Sequence, residues 1–319
     1  MTTDAFESDR TAPDVSRRGL LARAGIGGLT AAGLAAAFGT TGLLARGARG
    51  NDLPPNPRPP TPANATDVAV LQFALQLEYL EAEYYRRAVG LGPVPDSGDA
   101  PVIGGGEVPF QSQVLREYAQ EIADDEFRHV CVLKDSLRSD STDRPAIDFT
   151  NAFTAAARAA GVVGPTDTFD PFANELAFLF GAYLFEDVGV TAYRGAAPLL
   201  TDPRVLSYAA GILAVEAYHA GEVRAALVQM SANPLQNTDP VILTANRISN
   251  ARDSLDGPGG KDQGISKSNR LNIVPTDARG LAFARTPGEV LNIVYLAPGT
   301  GVTEGGFFPD GINGAITST

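Results

Sequence analysis

Two histidines, His129 and His219, are the only imidazole side chains in this chain of 319 residues, and each follows a glutamate by three positions. On an α-helix, residues three apart lie on one face, so the Glu126 carboxylate can reach the same point as His129. Glu216 is placed in the same way beside His219. Two such pairs are roughly a 1% coincidence at ordinary acidic content. The pattern therefore predicts helices that carry paired carboxylate and imidazole groups.

The composition limits what these groups can form. A hydrophobic content of 44% excludes wholesale disorder, and the single cysteine, Cys131, excludes disulfide frameworks and cysteine-rich zinc or iron–sulfur sites. With two histidines, any metal site must be built mainly from carboxylates. Residues 51–319 carry 33 acidic and 19 basic residues, and this balance argues against nucleic acid as a partner.

The N-terminal segment, residues 1–50, resembles a twin-arginine (Tat) export signal. Arg17 and Arg18 precede a long, weakly apolar stretch rich in Gly and Ala. A transmembrane helix is the alternative, but the many small residues favour a signal. A proline-rich linker follows at 51–65. We expect export to a periplasmic, cell-surface or extracellular location, with membrane contact only through an uncleaved signal.

Four long helical patterns occupy residues 66–232. The first spans about 67–89 with Thr66 as its N-cap, and the second spans about 112–138. The third begins at Asp170-Pro171 and the fourth at Asp202-Pro203, because each pair is a capping residue followed by proline at the first helical position. A connection of about 30 residues, with a short helix near 149–160, separates the second pattern from the third.

Residues 233–319 differ in composition, being rich in Gly, Pro, Asn and Asp. A capping box at Thr286-Pro287-Gly288-Glu289 predicts one short helix through Leu296. The remainder is predicted to form ordered loops. We expect this C-terminal extension to wrap the helical bundle.

Both Glu-x-x-His pairs interrupt the apolar, core-facing stripe of their helix. The first helix shows the same interruption, with Glu78 at the centre of its stripe and Glu81 at the edge as a second candidate. Glu186 follows the apolar run of the third helix. Carboxylates on the opposite faces, including Glu83 and Asp125, are predicted to be solvated and to have no role in a site.

The four helices also form an internal repeat. Glu78 and Tyr85 on the first helix match Glu186 and Tyr193 on the third at the same spacing, and the two Glu-x-x-His helices match each other. The seven-residue spacing puts each tyrosine on the face of its glutamate. A buried tyrosine needs a partner for its hydroxyl group, and a ligand carboxylate or some other core group are equal alternatives.

Together these residues form the ligand set of a di-metal carboxylate centre. Di-iron and di-manganese bundles use one glutamate from each of two helices and Glu-x-x-His from the other two. The predicted ligands are Glu78, Glu126, His129, Glu186, Glu216 and His219. Two Fe or Mn ions would balance the four carboxylates, and Glu126 and Glu216 are placed to bridge them. The alternative is a bundle whose core Glu–His pairs are satisfied without metal.

The sequence resembles the ferritin-like domain family that includes desiccation-related proteins. The matching segments are Phe73–Tyr85, Asp125–His129 and Ala214–Ala220, with further likeness in Phe283–Tyr295 and Gly305–Pro309. The resemblance implies an all-α fold, a ferritin-like four-helix bundle with a long crossover between its second and third helices, followed by the loop-rich extension. It leaves the activity open.

The leading functional hypothesis is an exported di-metal oxidoreductase that protects against stress by reacting with O2 or a peroxide. Tyr85 and Tyr193 would assist from behind the metal ligands. The alternative is a non-enzymatic desiccation or stress protein that uses the bundle as a scaffold. The expected partners are metal ions and O2 or peroxide, and a homo-oligomer is compatible with either role.

Overall fold

The computed structural model describes residues 58–319, so the predicted signal at 1–50 and most of the linker lie outside the described residues. Seven α-helices occur in this part of the chain, and they confirm the all-α fold. They are α1 (Ala65–Ala88), α2 (Gln113–Leu137), α3 (Phe149–Ala159), α4 (Glu175–Ala196), α5 (Pro203–Met230), α6 (Pro240–Leu255) and α7 (Pro287–Val294). Two pairs of two-residue strands complete it, β1 (Val102–Ile103) parallel to β2 (Ile147–Asp148) and β3 (Ser266–Lys267) antiparallel to β4 (Arg270–Leu271).

The four long helices form the bundle, in which α1 packs chiefly on α2 and α4 packs chiefly on α5. Helices α1 and α4 are buried on nearly every face, whereas α2 and α5 each keep one exposed face. Among the described residues, only Glu175–Leu199 is long and apolar enough to cross a membrane, and most of it is buried within the protein. This burial is what the central helix of a bundle requires, because its apolar residues run all round.

Helix boundaries follow side-chain caps, and two of the predicted caps are wrong. Helix α1 begins after Asn64, whose side chain accepts a hydrogen bond from the Asp67 amide, so Thr66 lies inside the first turn. Helix α4 begins at Glu175 after Asn174 and not at Asp170-Pro171. The Asp170 carboxylate instead accepts from the Phe172 amide in a tight turn, which leaves Asn174 to cap the helix.

A long crossover joins α2 to α4, as the sequence predicted, and it contains α3. Asp148 caps α3 by accepting from the Asn151 amide, and Gly161 follows the helix with a φ of +65°. The crossover therefore presents a second layer of structure against the bundle.

The C-terminal extension packs on the bundle through α6 and α7. Helix α6 contacts α4 and α5, and α7 contacts α4 and α6. The capping box at Thr286 and Glu289 is present, although α7 ends at Val294. The fully buried Phe307 ring lies 4.9 Å from the ring of Phe153 and 5.0 Å from that of Phe185, measured between centroids.

The prediction that the rest of the extension forms loops is wrong, because α6 is a helix of 16 residues. Its start, Asp239-Pro240, has the same cap-and-proline signature as the start of α5, and the Asp239 carboxylate accepts from the amide of Val241. The surrounding Gly-rich and Pro-rich sequence concealed this signal.

Buried ion pairs join the extension to the bundle behind α4. Three arginines share three aspartates there, and each side chain is at most 5% exposed. The pairs are Arg224–Asp187, Arg252–Asp187, Arg252–Asp262, Arg285–Asp262 and Arg285–Asp256. The positive and negative charges are equal in number, so the network can stay ionised while buried.

The prediction that Glu83 is solvated is also wrong, since its side chain is fully buried. The loop after α1 covers it, and its carboxylate accepts from the Val94 amide and pairs with Arg87 and Arg144. The periodicity of α1 could not show this, because the covering segments come from elsewhere in the chain.

Candidate metal centre

The bundle brings all six predicted ligands to one point in its core. Glu78 comes from α1 and Glu186 from α4, while α2 and α5 each supply a Glu-x-x-His pair. The six residues are at most 7% exposed. The three-residue spacing acts as predicted, because each glutamate and its histidine project from one face of the helix.

Ligand atoms converge in two overlapping groups. The first holds Glu78, Glu126, His129 and Glu216, and the second holds Glu126, Glu186 and His219, with the atoms of each group within 4.8 Å of one another. His129 Nδ1 lies 3.2 Å from a Glu78 oxygen, and His219 Nδ1 lies 2.9 Å from a Glu126 oxygen. The geometry therefore provides two adjacent cation positions.

Glu126 belongs to both groups and is thus the carboxylate placed to bridge the two positions. The sequence predicted Glu216 as a second bridge, but the structure groups it with the first position alone. Glu78 takes part in the first group, whereas Glu81 takes part in neither. The two halves of the repeat are therefore similar in sequence and unequal in geometry.

Several buried polar atoms of this cluster lie 2.9–3.6 Å from a neighbouring ligand atom or from Asp125. Most of the cluster's ligand atoms nevertheless make no well-directed hydrogen bond with any residue that the structure describes. The atoms that lack such a bond are both oxygens of Glu126 and of Glu216, one oxygen of Glu186 and both ring nitrogens of His219. An unsatisfied buried polar group costs about 1–3 kcal/mol, so native proteins rarely concentrate them without an occupant. Carboxylate and imidazole donors suit iron or manganese, and two divalent cations would neutralise four carboxylates. The donor set thus fits a di-metal centre.

The charges of the cluster depend on burial and on the two imidazoles. Burial raises the pKa of Glu78, of Glu186 and of Glu216 above the ordinary value. Burial acts in the same direction on Glu126, but the neighbouring histidines outweigh it and lower the pKa of that carboxyl.

Both imidazoles respond to the surrounding carboxylates. Burial by itself lowers the pKa of His219, but contacts with Asp125, Glu126 and Glu186 raise it to about 11. The pKa of His129 is likewise raised, because Glu78 and Glu126 outweigh burial. Without a metal the cluster therefore retains protons at neutral pH, and an incoming cation must displace them.

Two tyrosines cross the bundle behind the ligands. Tyr85 on α1 donates its hydroxyl hydrogen bond to Glu186 on α4, and Tyr193 on α4 donates to Glu78 on α1. The sequence left open whether each tyrosine pairs with a ligand carboxylate or with some other core group. Each tyrosine pairs with a ligand carboxylate, and that carboxylate belongs to the other half of the repeat. The bonds fix one oxygen of each glutamate and leave the other free to face the cations.

Asp125 is a contact that sequence reasoning missed. The sequence predicted a solvated position for it, but its side chain is only 28% exposed and its carboxylate lies 3.6 Å from His219 Nε2. The same carboxylate pairs with Arg128 at 2.8 Å. The sequence did hold a hint of this contact, because Asp125 directly precedes the ligand Glu126. A histidine from a neighbouring helix that reaches Glu126 can therefore also contact Asp125. Asp125 is placed to orient the ring so that Nδ1 faces the cluster.

Comparisons with known proteins agree with this geometry. The sequence profile of the ferritin-like domain matches residues 66–229. The desiccation-related protein PCC13-62 of Craterostigma plantagineum is 32% identical over 243 residues, which cover 71% of this chain and 76% of that protein.

The ferritin-like catalase Nec2 of Nesocodon mauritianus is 27% identical over 271 residues, which cover 78% of this chain and 84% of that protein. No solved structure matches the chain. The matched profile extends over the bundle that carries the cluster.

Proposed function

Because the chain belongs to the ferritin-like domain family, we propose that it binds two iron or manganese ions and reacts with O2 or a peroxide. The observation that supports this most strongly is the group of buried oxygen and nitrogen atoms on Glu126, Glu186, Glu216 and His219 that converge without a well-directed hydrogen bond to any described residue. The convergence of four carboxylates and two imidazoles in a buried core costs free energy when no cation is present. Two divalent cations would make the same arrangement favourable.

Different residues of the chain would hold the two ions and position the ligands. Glu78, His129 and Glu216 would hold one ion, Glu186 and His219 the other, with Glu126 shared. When bound, the ions would supply the redox electrons. The tyrosine hydroxyls keep the two terminal glutamates in place, and the burial of the cluster excludes bulk water from the reacting molecule.

Metal analysis of the full chain, purified after export by its own signal, tests the proposal. We expect about two Fe or Mn ions per chain. Glu126→Ala should lose both ions, because that carboxylate serves both positions, whereas Glu216→Ala should mainly lose the first. Glu117→Ala, on the exposed face of α2, is the matched control and should keep both.

Thermal unfolding gives an independent measurement. A bound ion stabilises the folded state by about 2.7 kcal/mol at a concentration 100 times its Kd. Metal-free protein whose melting temperature does not change on addition of Fe(II) or Mn(II) would rule the proposal out.

A second candidate is a non-enzymatic desiccation or stress protein, which the 32% identity to a desiccation-related protein favours. In that role the bundle is a scaffold, with or without structural metal. Metal binding without any turnover of O2 or peroxide would support this role. Consumption of either oxidant that disappears in Glu126→Ala would exclude it.

We propose further that the protein is exported through the Tat pathway, on the basis of Arg17-Arg18 and the weakly apolar stretch that follows. Tat substrates cross the membrane folded, so the centre could be loaded with metal before export. Replacement of both arginines by lysine should keep the protein in the cytoplasm, as measured by fractionation. Unchanged export would contradict this assignment.

A further inference from the structure

An apolar cavity of about 60 Å³ opens at the protein surface between α3, α6 and α7. Its rim includes the exposed Ala159, and its walls are apolar apart from Arg252. The Arg252 guanidinium is already paired with Asp187 and Asp262, so it offers no free charge to a ligand. This outer cavity therefore suits an uncharged molecule.

A second, inner cavity of about 20 Å³ lies between α1 and α4 and is covered by α7. Leu184 and Ile293 line both cavities, so the two cavities adjoin at these side chains. The inner cavity is large enough for one or two atoms of a small molecule, since a single water needs about 10–15 Å³. The two cavities thus lie in series from the surface toward the bundle core.

The inner end of this series reaches the metal centre. Gly189 lines the inner cavity, and a Cβ atom built on it would lie 2.1 Å from a Glu216 oxygen and 3.4 Å from a Glu81 oxygen. The two carboxylates therefore converge above Gly189. The lack of a side chain at this position is what lets the Glu216 carboxylate pack against Gly189, which lines the inner cavity.

Glu81 is the one carboxylate of this region that the metal ligand groups do not use. It is 5% exposed, it lines the inner cavity, and it makes no hydrogen bond or ion pair with any described residue. A buried carboxylate without a partner is unfavourable unless a ligand satisfies it. Its position gives the otherwise apolar inner cavity one polar group that can form a hydrogen bond with a small molecule.

We propose that the two cavities form an access route by which a small, uncharged oxidant reaches the metal centre, with Leu184 and Ile293 at its narrowest point and Glu81 at its inner end. The inference rests on the proposed function and adds a role for the C-terminal extension, which supplies Ile293. Apolar walls exclude ions because of the cost of desolvating them. The small inner volume excludes bulky organic peroxides.

The route accepts either O2 or hydrogen peroxide, and Glu81 distinguishes them chemically. The carbonyl oxygen of the Glu81 carboxyl group can accept a hydrogen bond from the O–H group of hydrogen peroxide, whereas O2 has no hydrogen to donate. Glu81→Leu should therefore weaken the reaction with hydrogen peroxide and leave the reaction with O2 nearly unchanged if peroxide is the molecule that this route serves. Equal effects on both reactions would assign the route to O2 or to a general packing role of Glu81.

Xenon binding to crystals of the metal-free full chain tests the route without any turnover. We expect xenon in both cavities, as in other apolar cavities of this kind. Ile293→Phe should remove the inner xenon, and Ile293→Ala should increase its occupancy. Ile242→Ala is the matched control, because Ile242 is equally buried on α6 and lines neither cavity.

Rates of oxidation of the metal-loaded protein by O2 and by hydrogen peroxide complete the test. Ile293→Phe should slow entry by about tenfold, which corresponds to about 1.4 kcal/mol, while the metal content stays at the wild-type level. Ile293→Ala should admit tert-butyl hydroperoxide, which the wild-type protein excludes. Should Ile293→Phe fail to fold, the Ala variant and the xenon data still decide the question.

Two outcomes separate this inference from the proposed function. The access route would be overturned if the cavities take up no xenon, or if both Ile293 variants keep wild-type rates at full metal content. Neither result would contradict the proposed metal centre. Xenon uptake by a protein that binds no metal, or that reacts with neither oxidant, would overturn the proposed function and with it the role of the cavities in oxidant delivery.

Discussion

Gly189→Ala is a substitution that should damage the metal centre while it spares the fold. A Cβ at this position would lie 2.1 Å from a Glu216 oxygen, whereas ordinary contacts begin near 3.4 Å. The carboxylate must therefore move by about 1.3 Å, the difference between these distances. Because that carboxylate is the far end of a flexible side chain, the chain can fold around the change.

The displacement is large compared with what a metal site tolerates. Ligand distances in proteins are held to within about 0.2 Å, so a movement of more than 1 Å removes Glu216 from the first ligand group. We expect affinity at that position to fall by at least about 100-fold, which is about 2.8 kcal/mol. The second position, which uses Glu126, Glu186 and His219, should keep its ion.

Metal content and calorimetric titration of the purified full chain measure the effect. The variant should retain about one ion per chain where the wild type holds about two. Gly211→Ala is the matched control, because Gly211 lies on the exposed face of α5 with no atom near its missing Cβ. That control should bind metal normally and gain up to about 1 kcal/mol of stability from its better helix propensity. If Gly189→Ala binds two ions with wild-type affinity, the assigned role of Glu216 is wrong.

Three further predictions concern protons, the contact behind His219 and the buried ion pairs. Metal binding at neutral pH should release protons, because the pKa values of both imidazoles and of three carboxyls are raised in the metal-free cluster. Metal affinity should therefore rise with pH. Calorimetric titrations in buffers of different ionisation enthalpy measure the protons released, and a value of zero would contradict this prediction. Asp125→Ala should weaken metal binding by about 10–100-fold, since it frees the His219 ring, and Asp124→Ala should not; equal effects would contradict an orienting role. Arg285→Met should lower the free energy of unfolding by about 3–5 kcal/mol, because it leaves the buried Asp256 carboxylate unpaired, while Asp262 keeps its pair with Arg252. Arg279→Met, which breaks an exposed pair, should change it by less than about 1 kcal/mol in the same chemical denaturation assay.

The ligand set could be read from the sequence because it depends on local geometry. A carboxylate and an imidazole three residues apart on a helix share a face, and their position on an apolar stripe predicts that they are buried. The repeat then pairs Glu78 with Glu186 without any knowledge of the fold. The shared face of each Glu–His pair depends only on neighbouring residues of one helix, so distant segments do not change it.

Contacts between distant segments had to come from the structure. Glu83 looked solvated on its own helix, and only the covering loop and Arg144 make it buried. Asp125 looked equally exposed until α5 placed His219 beside it. Periodicity reports which face of a helix turns inward, but it does not report what other segments cover the outward face.

Helix caps and the C-terminal extension were predictable from the sequence only in part. The capping box at Thr286 was predictable because it is a local signature. The choice of Asn174 over Asp170 as a cap depends on the tight turn at Asp170 in the crossover, in which its carboxylate accepts from the Phe172 amide. The start of α6 at Asp239-Pro240 was present in the sequence, but the Gly-rich and Pro-rich composition around it concealed it.

The sequence by itself therefore predicted four long helices, their repeat and the six candidate ligands from spacing along each helix, and its resemblance to a known family implied that the helices form a bundle. Only the tertiary structure decided that Glu126 is shared, that Glu216 serves one position, and that Glu81 faces a cavity beneath α7. The physical reason is that helical periodicity sets the direction of a side chain relative to its own axis. The distance between side chains on different helices depends on how those helices pack and on small residues such as Gly189, which let two of them approach.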